Sequence, residues 1–471
     1  VIVFSATREL QFEMEQRARF DGCDILAGGV AVFACSQRRG GQGWLDRCQE
    51  FTTKANPRSN IMSGTETIRQ DGHARPKGGV PRGLSRTGPV IFSYGFRPFF
   101  LAAAIWAIVT MVLWISALSG FIQIGGDYGA HNWHAHEMLF GFASAVLAGF
   151  LLTAVPNWTG RLPVSGLPLV LLFGLWCLGR LMFLVPGMFG MKSAAVIDGL
   201  FLPALLAICA REVIAGRKWK DLKVLAGLLA LSAANIVFHY AAISGDHSHV
   251  ATRLAVSAYT VLVMIVGGRI VPSFTRNWIN KSGRTDFPVP YNNFDTAAIL
   301  TGGAALGGWT LAPESPLTAI VAVIAGFMHA VRLVRWRGWA TWPEQLLVVL
   351  HVAYAFIPLS FMAIALGVYE VMDARSVLHI FTVGVVACMM LAVMTRASLG
   401  HTGRKLHATK MTVAAYLALI GSAVLRPAAE AFPDAMMHLY ACSGALWIIG
   451  FLLFCIEFGP ILTQERKPLR A

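Results

Sequence analysis

Charged side chains are scarce in this chain. They make up 14% of its 471 residues, against about 25% in soluble domains. That shortage argues against a water-soluble enzyme, and no soluble domain of useful size lies outside the apolar series described below. Binding or catalysis therefore falls within helices or on short loops. Acids are the scarcer sign: 25 Asp and Glu stand against 39 Lys and Arg, a net charge of +14. The excess is no nucleic-acid surface, because the cations lie in a leader and in alternate short loops, where the positive-inside rule concentrates them. Metal and redox cysteine spacings are missing too. Cys23, Cys35, Cys48, Cys177, Cys209, Cys388, Cys442 and Cys455 form no CxxC pair. Those in helices read as packing residues, and no structural disulfide is expected.

What is present is apolar. Stretches of about 20 residues, the length that spans some 30 Å of hydrocarbon, recur along the chain. They predict an all-α membrane protein of about twelve helices, near 99–119, 133–155, 167–185, 193–210, 221–243, 250–272, 294–311, 316–334, 344–367, 374–395, 410–425 and 437–457. Loops after even-numbered helices carry Arg161, Arg211, Arg217, Lys218, Lys220, Arg276, Lys281, Arg284, Arg332, Arg335, Arg337, Arg396, Arg404, Lys405 and Lys410. Loops after odd-numbered helices carry little beyond Lys192 and Arg426. The asymmetry predicts both termini on the cytoplasmic side of the membrane. Residues 1–61 are polar and mixed and begin with Val, and Met62 opens a short basic leader. Four segments are expected: a non-native or disordered extension (1–61), a cytoplasmic leader (62–91), the twelve-helix domain (92–460) and a cytoplasmic tail (461–471).

A weak repeat runs through the helix ends, four helices apart. Helix 2 closes on Pro156-Asn-Trp-Thr-Gly-Arg161, helix 6 on Pro272-Ser-Phe-Thr-Arg276, and helix 10 on Thr395-Arg396 followed by Thr402-Gly-Arg404. Aligning the two Thr-Gly-Arg triplets puts His136 on His379, each 25 residues before its Arg. Three four-helix units are suggested, and membrane repeats often frame a functional site.

Ionisable groups within a membrane need a partner or a purpose. Sorted by depth, His134, His136, His239 and His379 fall near the outer face, while His329, His351 and His401 fall toward the cytoplasm. Several histidines at one depth suit metal ligation, since neutral imidazole brings no charge into low dielectric. His134 and His136 point about 200° apart on a helix, so they do not share one metal. The His134 stripe, through Gly141, Ala145 and Gly149, is nearly bare of bulk and leaves room for a flat cofactor. Glu137 is placed to hold an imidazole N–H, and Asn235 to orient His239. Tyr354 shares a helix face with His351. Arg180 and Asp198, at equal depth, are expected to form a buried ion pair.

Several motifs together resemble the NnrS family: Ser93-Tyr-Gly-Phe-Arg97-Pro-Phe-Phe100, Trp133-His-Ala-His-Glu-Met138, Gly149 to Arg161, Gly268-Arg-Ile-Val-Pro272 and Val393 to Arg404. The resemblance covers about residues 90–465. It implies a bacterial inner-membrane protein containing haem, taken as b-type, and copper, linked to nitric oxide, denitrification and protection from nitrosative stress. A second, architectural resemblance is to the haem–copper oxidase core, which has three arcs of four helices and holds a haem between histidines on helices 2 and 10. Together these make His136 and His379 the expected axial ligands, with His134 as the competing ligand on helix 2; His136 then binds copper with His239 or stands behind the ligand. A second metal site is expected at His329, His351 and His401. Helices 6 and 7 hold no histidine, which departs from the oxidase copper site. Beyond the lipid bilayer, the expected partners are nitric oxide or a related small molecule and an unnamed electron donor, and no nucleic acid. The rival class is a transporter that uses histidines as transient ligands for a metal or metal complex.

Overall fold

A computed structural model describes residues 88–245 and 248–466, together with an antiparallel pair of two-residue strands, β1 (Val3–Phe4) and β2 (Ala31–Val32). The chain divides into two units, Val1–Arg75 and Pro76–Ala471. Apart from those two strands, the expected extension, most of the leader and the end of the tail lie outside the described residues. Among its described residues the second unit packs twelve long helices: α1 (Phe96–Leu118), α2 (Gly126–Thr159), α3 (Leu167–Leu184), α4 (Met191–Ala215), α5 (Trp219–Ser244), α6 (His249–Lys281), α7 (Asn293–Leu311), α8 (Pro316–Arg335), α9 (Gln345–Val368), α10 (Ala374–His401), α11 (Lys410–Ala431) and α12 (Pro433–Thr463). Eleven are long and apolar enough to cross a membrane. The exception, α7, carries four glycines and three threonines that dilute its hydropathy. Two of those glycines, Gly302 and Gly308, serve close packing. A Cβ at Gly302 would stand 2.9 Å from His329 Nε2 on α8, and one at Gly308 2.7 Å from Thr318 Oγ1. Left-handed glycines end α2 (Gly160, φ 72°) and α5 (Gly245, φ 72°), a conformation that a Cβ resists.

Helices adjacent in sequence pack together around the bundle, and α12 closes onto α1. The inner helices are α2, α6, α9 and α10, whose apolar windows are 61–83% buried against 33–50% for the other spans. Each of α2, α6 and α10 contains a π-helical segment, at Glu137–Ala143, Val263–Gly267 and Ile380–Ala387. These lie four helices apart, as the repeat of helix ends anticipates. The last α-helical residue before the π turn is His136 in α2 and His379 in α10. The two aligned histidines thus occupy matching backbone positions.

A π turn breaks the regular ladder of backbone bonds and frees carbonyls for side-chain donors. In α2, Tyr259 of α6 donates to the Leu139 carbonyl (2.8 Å) and Trp176 of α3 to that of Gly141 (3.0 Å). In α6, Arg332 of α8 donates to the Met264 carbonyl (3.0 Å). The Tyr259 hydroxyl therefore joins two inner helices at a dry contact. Tyr259→Phe, which removes only that oxygen, should cost about 1–3 kcal/mol for the stranded carbonyl. Thermal unfolding of purified protein in detergent measures it, and an unchanged midpoint would mean the bond carries nothing.

Candidate functional site

The π turns and the helix pairing leave three polar compartments, each beginning at an inner helix. In the first, enclosed by α2, α3, α4 and α5, the buried Asp198 is the hub. Its Oδ2 lies 3.1 Å from His136 Nε2, 3.0 Å from His239 Nε2 and 2.9 Å from Asn235 Nδ2. Its Oδ1 pairs with Arg180, whose other arm reaches Glu137 Oε2 at 2.7 Å. Glu137 Oε1 is 2.8 Å from His136 Nδ1, Trp106 Nε1 donates to Oε2 (2.8 Å), and the Tyr128 hydroxyl is 2.8 Å from His239 Nδ1. His136 therefore stands between two carboxylates. The His136, Asp198 and His239 ligand atoms lie within 4.8 Å of one another, the one grouping among the described residues with metal-ligating geometry.

The compartment between α10, α11, α12, α1 and α2 is hollow. It holds a cavity of about 420 Å³ lined by His134, His379, Trp114, Met138, Phe142 and Trp447, with Arg375, Arg426 and Tyr440 also on its wall. His134 stacks on Trp114 (ring centroids 4.4 Å apart), and its Nδ1 is buried with no hydrogen-bond partner. His379 Nδ1 donates to the Arg375 carbonyl (2.7 Å), which leaves Nε2 as its free lone pair. The remaining compartment, between α6, α7, α8 and α9, is filled. Arg332 bonds Asp295 (3.0 Å) and the Tyr354 hydroxyl (2.7 Å), and His329 bonds Tyr354 (2.8 Å) and the Ala298 carbonyl (3.1 Å).

The expected pairing of His136 with His379 is not one that the fold makes. Equivalent positions of a cyclic repeat face equivalent compartments, so His136 looks into the first and His379 into the hollow one. The helix 2 histidine that meets His379 is His134, on the opposite face of α2. The cytoplasmic trio is likewise separated. His351 bonds Thr275 (2.9 Å), His329 is satisfied in its own network, and His401 stacks on Tyr94 (5.6 Å). Tyr354 serves His329 and Arg332 rather than His351. Asn235 binds the carboxylate that holds His239, not the ring itself. The Arg180–Asp198 pair is present, joined by Glu137. Sequence reasoning left unseen the double role of Asp198 and the parts of Tyr128, Trp106, Arg375 and Arg426. Depth singles out Asp198, but depth alone does not show which neighbours share a carboxylate.

An all-α bundle of apolar helices with polar compartments between them defines a multi-pass membrane protein. The chain belongs to the NnrS family: the family model described as NnrS protein matches residues 90–466. A search of curated proteins found none that matches it. Membership makes it a nitric-oxide-related membrane protein.

Removing one partner from a buried ionic network strands the other charges. Arg180→Met should therefore destabilise the bundle by about 3–5 kcal/mol, and adding Glu137→Gln should restore part of the loss. Unfolding midpoints of the single and double variants test this; equal midpoints for wild type and Arg180→Met would show the network to be energetically idle.

Proposed function

We propose that this protein is a haem- and copper-bearing protein of the bacterial cytoplasmic membrane, with both termini cytoplasmic, that works in nitric oxide metabolism or protection from nitrosative stress. The observation that carries the reading is the cavity onto which His134 and His379 open from two different helices. Its volume, about 420 Å³, falls within the range of about 300–1,000 Å³ usual for small-molecule and cofactor pockets. Its residues fit a haem. The walls are aromatic and apolar, two imidazoles face it, and the unpartnered His134 nitrogen is a buried polar atom awaiting a bond. His134 and His379 would hold the iron, and Arg375 and Arg426 are suited to its carboxylates. A haem bound by two imidazoles supplies one-electron transfer. The chain's own part is orientation. Trp114 fixes the plane of the His134 ring, and the Arg375 carbonyl fixes the tautomer of His379 so that its Nε2 lone pair is free.

His136, His239 and Asp198 fit copper, which favours imidazole ligands and accepts a carboxylate. Tyr128 orients His239, and Glu137 orients His136. Metal loading there must displace protons now held between the two Nε2 atoms and Asp198, so it should release protons. Arg180 supplies the counter-charge beside Asp198. Nitric oxide, small and uncharged, reaches such buried sites through lipid without a polar channel.

The absorption spectrum of purified protein separates this reading from a metal transporter. Purified wild type should show a haem spectrum. His134→Ala and His379→Ala should each lose or strongly alter it while remaining folded, and His136→Ala should keep the haem and lose copper. A native haem spectrum in His379→Ala overturns the assignment. For the orientation, periplasm-dependent reporters fused within 120–125 should be active and those within 161–165 silent; the reverse pattern would invert the topology.

A further inference from the structure

A second cavity, of about 520 Å³, opens at the end of the bundle where α2, α6 and α8 finish and α5 and α7 begin. That end carries the Lys- and Arg-rich loops. The cavity's inner wall is apolar, with Trp158, Val266, Ile299 and Trp336. Its rim is basic, with Lys220, Lys223, Arg269 and Arg276. Two acids share the lining, and both are already matched. Asp221 pairs with Arg269 (3.0 Å), and Asp295 pairs with Arg332 (3.0 Å) and Arg335 (3.3 Å). Lys220, Lys223 and Arg276 have no carboxylate partner among the described residues, and Arg276 instead lies over the Phe287 ring at 4.7 Å. The first turns of α5 supply Lys220, Asp221, Lys223 and Val224 to this lining. None of this is used by the histidine sites.

We infer that this cavity binds the phosphate of an anionic phospholipid, with the unpaired cations on the phosphate and the acyl chains against the apolar wall. The chemistry matches on both sides. Unpaired cations beside an apolar slot, at the membrane face where basic residues gather, are what a two-chain anionic lipid completes and what a neutral one does not. An inorganic phosphate would satisfy the cations but leave the apolar wall open.

The test uses full-length protein, stripped of lipid by detergent exchange, with its thermal midpoint followed during titration with dioleoylphosphatidylglycerol, dioleoylphosphatidylcholine or inorganic phosphate. The midpoint should rise with phosphatidylglycerol and not with phosphatidylcholine. Each cation is worth about fivefold in affinity, so Lys220→Gln/Lys223→Gln/Arg276→Gln should weaken the response roughly a hundredfold. Arg217→Gln/Lys405→Gln, on the same face and outside the cavity, should leave it intact. The haem spectrum should not change in either variant, which keeps this result separate from the histidine assignment. Should the triple variant fail to fold, Arg276→Gln alone should still cost about fivefold. A full phosphatidylglycerol response in these cavity variants overturns the site. An equal rise with inorganic phosphate overturns the lipid and leaves a phosphate site.

Discussion

A charge buried among membrane helices must bring its counter-charge with it, and in the first compartment this rule decides which way four helices turn. Arg180 cannot sit on the inner face of α3 without acids on α2 and α4, and Glu137 and Asp198 supply them. Once Asp198 is committed to Arg180 through one oxygen, the other oxygen is free to gather His136, His239 and Asn235. The rotation of α5 follows from that gathering. The energetic worth of the pair is modest compared with an apolar replacement, because desolvation offsets most of the attraction. Its effect is on specificity: other rotations of these helices leave a charge unmatched in low dielectric.

The same rule explains why the three compartments differ although the backbone repeats. Two are crowded by arginine and its partners, around Asp198 and around Asp295. In the third, Arg375 and Arg426 have moved toward the membrane surface, where Asp373 and Glu430 meet them. Their withdrawal leaves space at the level of the histidines. A cavity between helices thus arises where the cations stand at the rim instead of the middle.

Much of the fold was legible in the sequence. Apolar length located the helices, and the Thr-Gly-Arg endings exposed a four-helix spacing that the π segments of α2, α6 and α10 share. Span boundaries were less legible. The N-terminal end of α2 reaches back to Gly126, past the polar His131 and Asn132, which hydropathy places in a loop. The site was legible in its residues and not in its partnerships. His134, His136, His239, His379, Glu137 and Asn235 all stand beside a compartment, yet His136 and His379 were matched because a repeat makes positions equivalent. Equivalence around an axis sends two side chains to different compartments, and linear spacing carries no record of that axis. His329, His351 and His401 each take a separate partner, Tyr354, Thr275 and Tyr94, which a common depth does not reveal.

The π turn in α2 also acts as a phase setting. An α-helix advances about 100° per residue, and the extra residue of a π turn shifts everything on one side of it relative to the other. His134 and His136 lie on one side of Glu137–Ala143, and the Pro156 to Arg161 ending lies on the other. The two ends of the helix can therefore meet unrelated neighbours without compromise between them. Loss of a single residue within 137–143 would turn both imidazoles out of their compartments together, while the far end kept its seat. Such a deletion removes no ligand and no charge outside the turn, yet it would disconnect both histidine sites at once.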